Sequence, residues 1–396
     1  MAAPAHDVVA LAQALIRLRT APGAEGPALA LVRTVMTDLG YDRVTVDDLG
    51  NVIGTIEGAR SGCLVLDGHV DVVSEGDRDR WTHDPWGGGI DGGFLYGRGA
   101  TDMKGAVAAM VVAGARLAAE TGRDRRTIHV SCTIAEELVE GLAFGHVCDR
   151  LRPDAVVIGE PTNLTLAIGQ RGRGELCLEV LGRAGHSAYP ETAINALEKM
   201  LTILPGLLAA PLPPPHAVVG PALLVPTEII SSPYPSNSVV PERCRVTLDR
   251  RLLPGETPES VLAPLREYLA EARRRDPALL ATIDVAQLEA RTDRGAILRG
   301  MKFAPGWALA PSSRIVEVAQ SALAESGLGP CVSAYLACTN GSAAAGERGI
   351  PTIGFGPGDD AQSHQTDEHI SITALEQAVD GYAALARYLA VAETLA

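Results

Sequence analysis

His69 and Asp71 stand two residues apart where the apolar run Cys63–Leu66 opens into Asp67-Gly68-His69-Val70-Asp71. On an extended backbone, residues two apart project to the same side. An imidazole and a carboxylate would therefore share the carboxyl end of a core strand, where ligands and catalytic groups collect in open α/β sheets. Later segments bring similar groups to similar places. Thr127–Ile134 reads as a buried strand followed by Glu136-Glu137, and Ala155–Ile158 as another followed by Glu160. The loop Gly97-Arg98-Gly99-Ala100-Thr101-Asp102 precedes an Ala/Val-rich helix that runs to about Glu120. It is no phosphate loop, because Lys104 is followed by Gly105 rather than Ser or Thr. Asp102 also stands where a dinucleotide fingerprint needs its third glycine, so the glycines read as freedom to place Asp102 at a helix start. A second histidine, His364, follows the late turn Gly356-Pro357-Gly358.

Two histidines, several carboxylates and no cysteine motif suit Zn²⁺, Co²⁺ or Mn²⁺. A site for two ions needs a shared carboxylate, a terminal histidine and carboxylate on each ion, and an unligated carboxylate as base. His69, Asp102, Glu136, Glu137, Glu160 and His364 supply that inventory. Neighbours such as Glu136 and Glu137 diverge, so one can ligate while the other faces water.

The elements that must hold these groups follow from periodicity. Residues 7–19 and 27–39 carry helical spacing, Val44–Ile56 alternates like a hairpin, and 63–69 is a core strand. The loop Glu75–Gly93 is too long for a plain connector. After Gly172 the pattern changes. Strand Glu175–Leu181, helix Ala193–Leu208, strands Leu223–Ser231 and Arg243–Leu252, helix Pro258–Arg274 and strand Ala281–Ala286 run β-α-β-β-α-β, the order of a ferredoxin-like sandwich. The reading is thus an α/β catalytic domain with a mixed sheet flanked by helices, built from residues 1–173 and 291–396. An α+β domain is inserted at 174–290. The second part of the catalytic domain holds a helix Ser312–Ser326, strands Val332–Cys338 and Pro351–Phe355, and a closing helix 373–394.

Composition narrows the partners. A formal net charge of −14 argues against nucleic acid or an anionic membrane. No apolar run is long enough to span a bilayer, and no basic stretch followed by an apolar one marks a signal peptide. The seven cysteines are scattered and odd in number, which reads as reduced core thiols of a cytoplasmic protein.

Six segments together resemble the co-catalytic zinc aminoacylase and carboxypeptidase family, which includes acetylornithine deacetylase, succinyl-diaminopimelate desuccinylase and glutamate carboxypeptidase. They are Gly68-His69-Val70-Asp71, Gly97-Arg98-Gly99-x-x-Asp102-Met103-Lys104-Gly105, Glu136-Glu137, Gly159-Glu160-Pro161-Thr162, Gly185-His186-Ser187-Ala188-Tyr189-Pro190 and the late His364. They come in family order across nearly the whole chain. Thr339-Asn340-Gly341, Leu248-Asp249-Arg250-Arg251 and Gly354-Phe355-Gly356-Pro357-Gly358 look like the branch labelled as selenium-metabolism hydrolases.

The resemblance implies a set of roles. His69 and Glu160 bind one metal ion, Glu137 and His364 the other, and Asp102 bridges them, with a cis peptide just after it. The ions are most often zinc, with cobalt or manganese as alternatives. Asp71 orients the His69 ring, and Glu136 is the general base. The inserted domain corresponds to the family's lid, through which members form homodimers. In it, His186 would reach the partner subunit's site, Arg251 would clamp a substrate carboxylate, and Asn237 is a further lid candidate whose spacing to Pro241 departs by one residue. Asn340 and Gly341 lie where relatives carry Gly-Thr-Asp near the substrate carboxylate. The expected activity is hydrolysis of an amide in an N-acyl amino acid or small peptide. The alternatives are a dipeptidase or carboxypeptidase of the same family, and a metal-binding protein that no longer hydrolyses. His83, His129, His146, His216 and His369, and Trp81 and Trp86, read as packing residues.

Overall fold

The computed structural model describes residues 7–329 and 331–395. Residues 1–6, 330 and 396, which fall within the expected spans 1–173 and 291–396, lie outside the described residues. The chain divides into two units. One runs to Gln170 and takes up Glu289–Arg299 and the chain from Trp307 onward; the other comprises Arg171–Leu288 and Gly300–Gly306.

The first unit begins with helices α1 (Val8–Ile16) and α2 (Gly26–Asp38). Asp7 caps α1 through bonds to the N–H groups of Val9 and Ala10. The helix stops short of residue 19 because Thr20 is used elsewhere: its carbonyl accepts from Val72 N at 2.9 Å and its hydroxyl donates to the Val70 carbonyl. Strands β1 (Arg43–Val46), β2 (Val52–Ile56) and β3 (Cys63–His69) follow, then α3 (Gly105–Ala118), β4 (Thr127–Thr133), α4 (Leu142–Leu151), β5 (Ala155–Ile158) and β6 (Leu166–Gln170). β2, β3 and β5 are buried along their whole length, as strands covered on both faces must be. Two glycines at strand ends let α3 come close. A Cβ on Gly68 would lie 2.6 Å from the methyl carbons of both Met103 and Met110, and one on Gly159 2.8 Å from the same two atoms.

The second unit holds β7 (Gly172–Leu181), α5 (Ala196–Leu208), β8 (Leu223–Ser232), β9 (Arg243–Leu252), α6 (Pro258–Arg275), β10 (Leu280–Val285) and β11 (Phe303–Ala304). β7 and β9 alternate buried and less buried residues. Their inner face, Leu176, Leu178, Val180, Val246 and Leu248, packs on Met200, Ile203, Leu262 and Leu265 of the two helices. The strands run in the order β8-β9-β7-β10, all antiparallel. This is the sheet order of the β-α-β-β-α-β sandwich. β11 was not expected. The chain comes back so that Phe303 and Ala304 can pair with Gly174 and Arg173 on the free end of β7.

The first unit resumes with β12 (Trp307–Ala308), α7 (Arg314–Glu325), β13 (Val332–Tyr335), β14 (Thr352–Gly354) and α8 (Ile372–Val391). Its nine-stranded mixed sheet has the order β1-β2-β4-β3-β5-β14-β6-β12, with β13 also on β6. β3 is parallel to β4 and β5, and β14 is parallel to β5. The carboxyl ends of β3, β4 and β5 therefore open on one edge, and β14 leads into the loop that carries His364.

Candidate metal centre

His69 ends β3 and is buried. Its Nδ1–H donates to the Asp71 carbonyl at 2.9 Å, which leaves Nε2 facing a group of carboxylates. Asp102 Oδ1 is 3.2 Å from that nitrogen, Glu160 Oε1 3.3 Å and Glu136 Oε2 3.8 Å. The other oxygen of Asp102, Oδ2, is 3.1 Å from His364 Nε2, and Glu137 Oε1 is 3.2 Å from the same nitrogen. One carboxylate thus faces two imidazoles, one oxygen to each. Glu136 and Glu137 do diverge, toward His69 and His364 respectively. The peptide Asp102-Met103 is cis. His364 adopts a left-handed φ of 63° on a loop that leaves its side chain half exposed.

Four carboxylates and two imidazoles crowd a largely buried space, and their protonation reflects it. Burial, then the charges of its neighbours Glu160 and Glu137, pushes Glu136 well above the ordinary range. Burial and the Asp102 charge raise Glu160 to about 7 and also raise Glu137. Burial works against protonation of His69, but Glu160, Glu136, Asp102 and Asp71 raise it well above its usual value. Hydrogen bonds to Asp102 and Glu137 lift His364 to about 10. Burial opposes ionisation of Asp102, yet the two imidazoles hold it below the usual carboxylate range. So many buried anions need compensating cations. Divalent ions fit the donor set. Metal–ligand bonds of about 2.0–2.1 Å in a tetrahedron put donor atoms roughly 3.3 Å apart, and the spacings here are 3.1–3.3 Å. His69 joins Glu136 and Glu160 in one possible ion-holding group, and Asp102 and Glu137 in another.

Asp71, expected to orient the His69 ring, meets the ring's second nitrogen mainly through its backbone. The ring is held by the Asp71 carbonyl, and the carboxylate lies 3.5 Å from Nδ1. That carboxylate instead accepts the N–H groups of Glu136 at 3.2 Å and Glu137 at 3.0 Å. The turn after β4 is also held by Glu25, a fully buried acid whose Oε1 accepts from Ala135 N at 3.2 Å. Glu25 and the equally buried Glu368, beside the Asp102 turn, were not identified from sequence. Nothing local marks either one. The only available signal was a charged residue next to a recognisable motif.

Asn340 and Gly341 are not placed as a free substrate-binding turn. The Asn340 amide N–H₂ donates to Asp67 Oδ2 at 2.9 Å and to Thr133 Oγ1 at 3.0 Å, and its oxygen accepts from Gly141 N at 2.9 Å. Both ends of the side chain are engaged beneath the strand ends. Burial pushes Asp67 up to about 7, and bonds from Ser131 and Asn340 offset part of that rise. Gly341 sits where a Cβ would lie 2.8 Å from Trp307 Nε1.

The remaining expected residues belong to the inserted unit. His186 is exposed, and its Nδ1 accepts from Ala188 N at 3.0 Å, which places the neutral ring's proton on Nε2. Arg251 Nε is 2.8 Å from Asp249 Oδ1, and Arg173 Nε donates to Asp249 Oδ2 at 2.7 Å. Asn237 is exposed in a turn at φ 44°. Among the residues read as packing, His129 lies 3.1 Å from Thr55 Oγ1 inside the sheet, His83 stacks on Tyr96, and Trp81 and Trp86 donate to Glu75. All seven cysteines are free. No described helix is long and apolar enough to cross a membrane.

A mixed α/β sheet that gathers carboxylates and two imidazoles at its strand ends and a neighbouring loop, with one carboxylate facing both imidazoles, suits the class of metal-dependent hydrolases. Comparison with known proteins agrees. Residues 65–388 match the peptidase family M20/M25/M40. The uncharacterized protein YgeY of Escherichia coli K12 is 32% identical over 360 residues, covering 89% of this chain and 87% of that protein. A succinyl-diaminopimelate desuccinylase of Rhodospirillum centenum is 33% identical over 321 residues, covering 73% and 83%. The fold superposes on the M20 family metallo-carboxypeptidase Sso-CP2 of Sulfolobus solfataricus with a TM-score of 0.76 at 16% identity, covering 98% of this chain and all of that one (100%). The chain belongs to the peptidase family M20/M25/M40 and is a metal-dependent hydrolase of amide bonds.

Proposed function

We propose that the chain cleaves the amide bond of an N-acyl amino acid or small peptide, in the manner of a deacylase or desuccinylase, and releases a carboxylate and an amine. The observation that carries this reading is Asp102, whose two oxygens face different imidazoles at 3.2 and 3.1 Å. His69 and Glu160 would hold one divalent ion and Glu137 and His364 the other, with Asp102 shared. Zn²⁺ comes ahead of Co²⁺ or Mn²⁺. Such ions polarise a scissile carbonyl and make water more acidic.

The chain's own residues do the rest. Glu136, buried next to the donors, takes a proton from the attacking water and delivers it to the leaving nitrogen. Asp71 fixes the backbone from which Glu136 and Glu137 project. His186 Nε2–H is available as a donor to the developing oxyanion. Arg251 would receive a substrate carboxylate, supported by the arginines gathered around the single Asp249. Asn237, in the turn whose neighbour Ser238 accepts from Ser187 N next to His186, would be a further lid contact. A homodimer through the inserted unit is supported by β8, an edge strand that leaves Leu223, Val225, Ile229 and Ile230 exposed. The free thiols suit a reducing compartment such as the cytoplasm.

The name of the Sulfolobus neighbour and the same arginines favour a second reading, a carboxypeptidase or dipeptidase. A protein that binds metal without hydrolysis is disfavoured, because it has no use for Glu136. The test is a mass-spectrometric screen of zinc-loaded protein against acyl-amino acids and dipeptides. Release of a free amino acid from acyl-amino acids supports deacylation. Turnover confined to dipeptides favours the second reading, and an inert protein with both ions bound would overturn both.

A further inference from the structure

We propose that Arg98 and Glu368 form a latch that keeps the Asp102 turn and the His364 loop in register, so that the metal position made by Asp102, Glu137 and His364 depends on it. The inference rests on the reading of those three residues as ligands.

Glu368 is completely buried, and a carboxylate so placed must be fully compensated. One oxygen, Oε2, accepts from Arg98 Nη1 at 2.6 Å and from Gly99 N at 3.0 Å. The other, Oε1, accepts from Thr101 N at 2.9 Å and from Asp102 N at 3.0 Å. The last of these donors belongs to the shared ligand itself. Arg98 also donates through Nη2 to the His364 carbonyl at 3.3 Å. Two outer bonds extend the seam: Gly97 N to the Glu368 carbonyl at 2.9 Å and Thr101 Oγ1 to the His369 carbonyl at 2.7 Å. The segment carrying Asp102 and the segment carrying His364 are thus stitched residue by residue, although they are far apart in sequence.

The stitching matters more for His364 than for the other donors. His69 ends a fully buried strand, and Glu160 is itself buried close after β5. His364 sits half exposed, in a strained left-handed conformation, on a loop whose residues 359–361 are exposed. The Asp367 side chain also tethers its loop, accepting from the N–H groups of Thr82 at 2.9 Å and His83 at 3.1 Å. That tether leads to a loop without donors to the metal centre. Arg98 and Glu368 supply the side-chain bonds that join the His364 loop to the backbone of Asp102 itself. Gln in place of Glu368 would turn an N–H₂ group toward N–H donors and remove the charge that Arg98 faces.

The test counts metal. Purified protein is dialysed against graded free zinc, and bound zinc per chain is measured by mass spectrometry. Wild type should take two ions. Glu368→Gln should hold one ion as wild type does and bind the second about 10–100-fold more weakly, the range for partners that orient a ligand. Saturating zinc should then restore most of kcat with KM unchanged, because neither latch residue touches substrate. Arg98→Gln should give the same selective loss and decides the matter if Glu368→Gln fails to fold. Variants that bind both ions as tightly as wild type, or lose both in parallel, overturn the latch. Fewer than two ions on the wild-type protein would instead overturn the two-metal reading on which it stands.

Discussion

Glu136 and Glu137 are chemically identical neighbours, and the backbone turn between them sends one toward His69 and the other toward His364. Their roles therefore separate by mutation. Glu136→Gln should lower kcat by about 10²–10⁴-fold, the usual contribution of a general acid–base, with two ions still bound. Loss of an ion together with activity would show that Glu136 is a ligand. Asp71 gives a second test. Its carboxylate accepts two consecutive N–H groups, so Asp71→Asn would place an N–H₂ against one of those donors. This variant should lose about 10–100-fold in metal affinity, read by competition with a chromogenic chelator. Unchanged affinity would leave the Asp71 carbonyl as the only part that matters. The donor types were readable because His-x-Asp, the paired glutamates and the late histidine are short patterns. Glu25 and Glu368 were not, since a buried acid is defined by what surrounds it, and the partners that give each its role lie far along the chain, at Ala135 for Glu25 and at Arg98–Asp102 for Glu368.

The fit between pattern and structure is closest for the strands and helices around those donors. Strand 63–69 and the order of the inserted sandwich follow from apolar periodicity, which burial on one or both faces enforces. The ends shift where side chains compete for the backbone. α5 starts at Ala196 rather than Ala193 because Asn195 Oδ1 accepts from Leu197 N at 3.0 Å and from Glu198 N at 3.4 Å. α4 waits until after Gly141, whose φ of 83° marks the turn before it. β11 was invisible because two residues of strand carry no periodicity. One buried cross-strand pair has a measurable consequence. Thr55 and His129 face each other on β2 and β4, and burial, helped by the charge of Arg43, lowers His129 to about 4. In the unfolded chain an ordinary histidine titrates near 6.5, so between those values the unfolded state binds more protons. The stability from neutral His129 is intact above about pH 6.5 and falls as pH drops toward 4, by about 3 kcal/mol in all. His129→Gln should flatten that part of the stability–pH curve in urea titrations at each pH. An identical slope in the variant would assign the loss to other groups.

For the molecule as a whole, metal binding enters the thermodynamics. Ions that bind only the folded state stabilise it by mass action, so chelation should abolish activity and lower Tm, and Zn²⁺ or Co²⁺ should restore both. A Tm indifferent to chelation would mean that ion binding contributes little to folding. The exposed face and edge of β8 predict self-association. Ile229→Lys combined with Ile230→Lys should convert a species of twice the 41.3 kDa chain mass into one of that mass by light scattering. A wild-type protein that is already monomeric would remove the dimer from the proposal. The two-unit division was legible as a change of element order after Gly172. The crossing back at Gly300–Gly306 was not, because it serves only to complete the far end of β7.

One arrangement acquires a meaning in time. The donors from His69 to Glu160 leave the ribosome early, whereas β14, which lies between β5 and β6, and His364 come about two hundred residues after Glu160. At about 5–20 residues per second, the nascent chain waits roughly 10–40 s with an open gap in its sheet and an incomplete centre. Chains arrested short of residue 350 should therefore retain at most one zinc and hydrolyse nothing, and stalled-ribosome complexes probed for bound metal would show two ions if the late segment were dispensable. Emergence of the His364 segment is what switches the hydrolase on.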